Sequence, residues 1–159
     1  MNLVMMKKTQ GLKKASPKLM KDIEKYRIIE RDKRRHWGYN YGTVCVGVEN
    51  YEQNTHACSH SFNIFKQDKK YVFPDCLKNK LSSLGTIGET KRGGCVLGFC
   101  AEPHAVKKLI DKLKRKAMSN KIERMVFTKA FRVRTGQIVD YCNFCQKTFR
   151  QLYLMSHEQ

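Results

Sequence analysis

No stretch of this sequence approaches the roughly 18 consecutive apolar residues of a membrane-crossing helix, so a transmembrane anchor is not expected. The opening MNLVMMKKTQGLKK has only a short apolar run, and its lysines follow that run instead of preceding a longer one, so no secretory signal is read. An intracellular location, cytoplasm or nucleus, is the expectation. A disulfide framework is missing too, because the seven cysteines are odd in number and unevenly spaced. Reduced thiols, some of them metal ligands, fit that pattern better. Acidic residues are also in short supply. The 14 Asp and Glu face 32 Lys and Arg, a net charge of +18. Solubility does not require such an excess, and the natural counterpart is a polyanion, nucleic acid before a lipid surface. No internal repeat is present.

What is there suits one compact α/β domain, since 159 residues bury a single core but not two ordinary ones. Residues 1–36 read as a basic extension with one helix, opened by Ser16-Pro17 and spaced by Leu19, Ile23, Tyr26 and Ile29. That spacing fits a helix docked on a sheet, whose outer face stays free for phosphate. Residues 37–159 read as the main domain. Thr43 to Glu49 alternates as a half-buried strand, and Thr55 to Lys66 supplies its hairpin partner. Residues 67–94 are interrupted by Pro74 and several glycines and read mostly as loop, with room for short structure at Tyr71 to Phe73 and Cys76 to Leu84. Beyond Pro103, Val106, Leu109, Ile110, Leu113 and Ala117 follow the helical period. Arg124 to Val133 is strand-like, Arg134 to Gln137 a turn, and Ile138-Val139 a continuation. A last helix is expected from about Cys142 to Leu154, burying Cys145, Phe149, Leu152 and Tyr153.

The chemistry concentrates at two helix starts. Cys142-Asn143-Phe144-Cys145 offers two thiols from a turn that opens a helix, a spacing that holds one soft metal ion. On its own this pair is weak evidence. Cys100-Ala101-Glu102-Pro103 opens the preceding helix, and its thiol completes a set of three. Helix N-termini carry positive dipole ends and unpaired N–H groups, which favour thiolates. Three protein ligands leave a position for water, and a carboxyl two residues from a ligand reaches that water without binding the metal. Cys95 competes for the open position, which would make a structural four-cysteine site.

Cys-Ala-Glu at one helix start and Cys-x-x-Cys at the next, each after a strand, resembles the cytidine deaminase superfamily. Within it, Gly98 to Ala105 and Cys142 to Gln146 look most like the secreted novel AID/APOBEC-like deaminases and bacterial toxin deaminases, over roughly residues 40–155. The resemblance implies a three-layer α-β-α fold with a mixed central sheet, C-terminally short here. It also implies a zinc-dependent hydrolase acting on C–N bonds, with Cys100, Cys142 and Cys145 as zinc ligands and Glu102 as the proton carrier. Tyr141 stands where the family usually has proline.

Around this core the candidate substrate-binding residues are Ala101 beside Glu102, His104, His60, Asn54, Trp37 and Tyr39. An imidazole hydrogen-bonds or stacks on a base, yet a lone histidine is more often a surface or satisfied core residue, and His104 is the better placed of the two because it follows Glu102. Trp37, Tyr39 and Tyr41 alternate beside Arg34 and Arg35, an arrangement that stacks bases and holds phosphate or else packs inward. Superfamily members often offer an asparagine to the sugar after the first strand, and Asn50 and Asn54 both lie there. Three functions follow: a cytosine deaminase acting on single-stranded DNA or RNA, a deaminase of free cytidine, and a non-catalytic, zinc-stabilised nucleic-acid-binding protein. The charge favours the first over the second.

Overall fold

The computed structural model describes residues 13–34, 42–90, 94–118 and 120–157. Alternation along β1 (Val44–Asn50) assigns the two faces of the sheet. Val46 and Val48 enter one core, while Cys45, the residue before Val46, enters another with Leu19, Ile23, Cys58 and Val133. Strand geometry requires this split, because successive side chains point to opposite faces. The result is a sheet covered on both sides, the three-layer α/β arrangement expected.

Helix α1 (Pro17–Arg34) covers the second face. Ser16 caps it, accepting from the Leu19 N–H at 3.1 Å, as the Ser-Pro pair predicts. The Ser16 N–H and hydroxyl both donate to the carboxylate of Glu49 on β1, at 2.6 and 2.7 Å, which pins the helix start to the sheet. Leu19 and Ile23 are buried, Ile29 is exposed, and Arg27 is an unexpected buried member that donates to the Val133 carbonyl. The N-terminal helix is thus part of the core. Gly47 makes the close approach possible, since a Cβ there would lie 2.8 Å from Leu19 Cδ1.

β1 pairs with β2 (Thr55–His60) in an antiparallel hairpin. On its other side run β3 (Met125–Phe127) and β4 (Ala130–Arg132), and β4 pairs with β5 (Ile138–Val139). Every pairing among the described residues is antiparallel, where a mixed sheet was expected. β3 and β4 form one strand interrupted by a bulge: Val48 faces Phe127 but Cys45 faces Phe131, so one extra residue is absorbed near Thr128. The Thr128 hydroxyl oxygen accepts the Gly47 N–H at 2.9 Å and so replaces a ladder bond there.

The other face carries α3 (Ala101–Arg115), on which Val106, Leu109, Ile110 and Leu113 are fully buried. Ala117 lies beyond its end at φ 53°, exposed, instead of continuing the apolar stripe. Lys108 and Lys112 of α3 donate to the Cys58 and His56 carbonyls of the edge strand β2, which blunts that edge against further pairing. Within 67–94, α2 (Asp75–Ser82) buries Leu77 and Leu81. The single C-terminal helix expected is two, α4 (Asn143–Thr148) and α5 (Arg150–Ser156), broken at Phe149, whose φ of −120° and ψ of 108° are extended. Phe149 and Leu152 are buried as expected, whereas Tyr153 is half exposed and stacks on His157.

Candidate metal centre

Cys100 and Cys142 occupy matching positions, each the residue just before a helix, at φ −68°, ψ 157° and φ −69°, ψ 160°. Cys145 follows within the first turn of α4. Their three Sγ atoms all lie within 4.8 Å of one another, and Cys100 and Cys142 are 3.3 Å apart. Sulfur ligands at about 2.3 Å around one tetrahedral ion would sit about 3.8 Å from each other, so the observed triangle closes on a metal with small adjustments. Charge points the same way. Hydrogen bonds from the Cys100 and Cys145 thiols hold Cys142 down to about 3, while the Cys142 thiolate pushes Cys100 far above the ordinary thiol range. Shared protons hold the three sulfurs together here, and a cation between them would let all three ionise.

Glu102 is buried, 4 % exposed, and its Oε2 accepts from the Cys145 thiol at 3.3 Å. Burial raises its carboxyl to about 7, opposed in part by its own backbone N–H. A neighbouring cation would draw that value back down. The carboxyl and the Cys100 and Cys142 thiols open onto a cleft of about 590 Å³, whose wall includes Phe62, Asn63, Ala101, Ala130 and Arg132, with Cys145 buried behind them. Cys95 also lines this cleft outside the triangle of three, and its interaction with Cys100 keeps its thiol below the usual range.

Tyr141 fixes the turn that carries Cys142. Its ring is buried and its hydroxyl donates to the Thr128 carbonyl at 2.6 Å, joining the Cys-x-x-C turn to the strand bulge. Desolvation pushes this phenol well above its normal value, which keeps it a donor. Gln146 closes the same turn by donating to the Tyr141 carbonyl.

The remaining candidates divide. Ala101 lines the cleft, as expected from its place beside Glu102. His104 faces away from it: the ring is buried, stacks on Phe62 at 3.8 Å and meets the Tyr71 hydroxyl at 2.8 Å. Burial lowers His104 to about 3, so it is neutral. His60 lies on the α1 side of β2, where Nδ1 meets the Tyr26 hydroxyl at 2.7 Å. Both histidines line a second cavity, of about 380 Å³, behind Phe62. Asn54 is exposed in the β1–β2 turn at φ 50°, a conformation asparagine tolerates, and Asn50 accepts the Glu52 and Gln53 N–H groups in that turn. Neither asparagine lines the cleft. Trp37, Tyr39 and Tyr41 lie outside the described residues. Cleft residues that sequence reasoning missed include Ser61, Phe62 and Asn63, which follow the edge strand, and Arg132 and Asp140; the only signal at the first three was a pair of polar residues flanking Phe62.

No protein-family model, curated protein or solved structure matches the chain. Among the described residues no helix is long and apolar enough to cross a membrane.

Proposed function

We propose that this chain is a zinc-dependent hydrolase that converts cytosine to uracil in single-stranded nucleic acid. The observation that carries this reading is the meeting of three cysteine thiols with one buried carboxyl at the wall of an open cleft. Cys100, Cys142 and Cys145 hold the metal. Zinc bound there supplies a Lewis acid that activates water near neutral pH. Glu102, ionised at the start, takes a proton from that water and delivers it to the ring nitrogen. Once the C–O bond has formed, Glu102 takes the second proton from the new hydroxyl on the ring carbon and passes it to the amino group, so the C–N bond breaks, ammonia leaves and a carbonyl remains. Its burial keeps bulk water from competing for the proton. The charge of +18 favours a polyanionic strand over free cytidine as the carrier of the base.

The test is uracil formation from single-stranded DNA and RNA by the zinc-loaded protein. Glu102→Gln should keep the zinc and lower the rate roughly 10²- to 10⁴-fold. Absence of uracil in both strands, or an unchanged rate in the variant, contradicts the proposal. Cytidine run in parallel separates a free-nucleoside enzyme.

A second reading is favoured by Cys95, which shares the cleft and interacts with Cys100 and Cys142. If it is the fourth thiolate ligand, the metal is structural and the chain binds nucleic acid without turnover. Cys95→Ser then loses zinc, whereas under the enzymatic reading zinc is retained.

A further inference from the structure

We propose that Phe65 is a stacking platform for the base adjoining the one that enters the cleft, an inference that rests on the nucleic-acid reading above. Phe65 is the most exposed large apolar side chain among the described residues, at 69 %. A phenyl ring buries 150–250 Å² when it serves a core, so a ring left in water contributes little to folding. Disorder does not explain its exposure, because the backbone beneath it is tied down. Phe65 sits in a single 3₁₀ turn, Ile64–Lys66, just after β2, with Ile64 buried as its anchor. The Asn63 side chain accepts the Phe65 N–H at 2.9 Å, and Gln67 donates to the Asn63 carbonyl at 3.2 Å.

The ring is braced as well. Its edge meets Phe99, the residue before Cys100, with centroids 5.8 Å apart and planes at 70°. Behind it lies Gly88 at φ 96°, where a Cβ would fall 2.6 Å from Phe65 Cε2 and 2.8 Å from Cζ. Only glycine combines that backbone with that approach. The phenyl is therefore backed by bare main chain and held at a fixed angle while most of it stays open to solvent.

Position supplies the ligand class. Asn63 and Lys66, on either side of Phe65, both line the cleft that holds Cys100, Cys142 and Glu102. A base turned into the cleft leaves its neighbour unstacked at the rim, and an aromatic face beside a lysine receives such a base while the ammonium meets its phosphate. Every base has a π face, so this contact adds affinity with little sequence preference.

The experiment measures binding of the zinc-loaded full chain to a short dye-labelled single strand containing one dC, by fluorescence anisotropy. A second strand lacks the base next to dC. Phe65→Ala should bind the intact strand about 5- to 150-fold more weakly, and Phe65→Trp should restore binding. Wild-type protein should lose affinity for the abasic strand, and Phe65→Ala should lose little more. Equal binding of the intact strand by wild type and Phe65→Ala overturns the proposal. So does an equal loss on both strands, which marks Phe65 as structural or as a contact for a protein. Failure of the wild-type chain to bind any single strand sinks the nucleic-acid reading itself and shows before Phe65 is altered.

Discussion

At the residue scale, the meeting of Cys100, Cys142 and Cys145 beside Glu102 was legible because it depends on spacing along two helix starts, and local sequence sets that spacing. His104, His60 and Asn54 were not, because which side of a strand or helix faces a cleft is decided by packing. His104 shows the consequence. It stacks on Phe62 in a buried aromatic cluster, with a value near 3 against 6.5 in an unfolded chain. The unfolded state then binds a proton that the folded state refuses between those values, so this contribution is complete above pH 6.5 and is lost as pH falls. Urea unfolding of wild-type protein should show about 2 kcal/mol less stability from this residue at pH 5 than at pH 7, and His104→Phe should remove that part of the decline. An identical pH slope in the two proteins would place the acid sensitivity elsewhere.

At the element scale, the helix after Cys100, the β1–β2 hairpin and the docked α1 followed from periodicity and from the Ser16 cap. The bulge between β3 and β4 did not, since one inserted residue leaves no mark in an alternation only a few residues long. The break at Phe149 was hidden for a related reason: Cys145, Phe149 and Leu152 keep helical spacing across it, and all three are buried. The bulge gives Tyr141 its purpose. Where a proline would stiffen such a turn by fixing φ, this chain has a phenol that anchors the turn from outside through the Thr128 carbonyl. Tyr141→Phe keeps the buried ring and removes only the donor. It should reduce stability by about 1–3 kcal/mol, read from denaturant midpoints. Zinc affinity should fall with it, because Tyr141 positions the ligand that follows. A silent Tyr141→Phe would mean the turn is held by Gln146 and packing alone.

At the scale of the whole molecule, the sequence indicated an α/β domain with a large positive charge, and the three layers agree. The all-antiparallel pairing follows from the path of the chain: β3 and β4 both return alongside β1, and β5 folds back on β4. Charge acts at this scale also. If the +18 excess serves a nucleic-acid strand, affinity for a single strand should fall at least about tenfold between 50 and 200 mM salt, equivalent to roughly two or three neutralised phosphates. A salt-independent affinity would assign the charge another purpose. The central claim is an open three-thiolate centre beside Glu102, and X-ray absorption at the zinc edge of the loaded wild-type protein tests it most directly. Three sulfur neighbours at about 2.3 Å with one lighter atom near 2.0 Å is the predicted shell; four sulfur neighbours would contradict it.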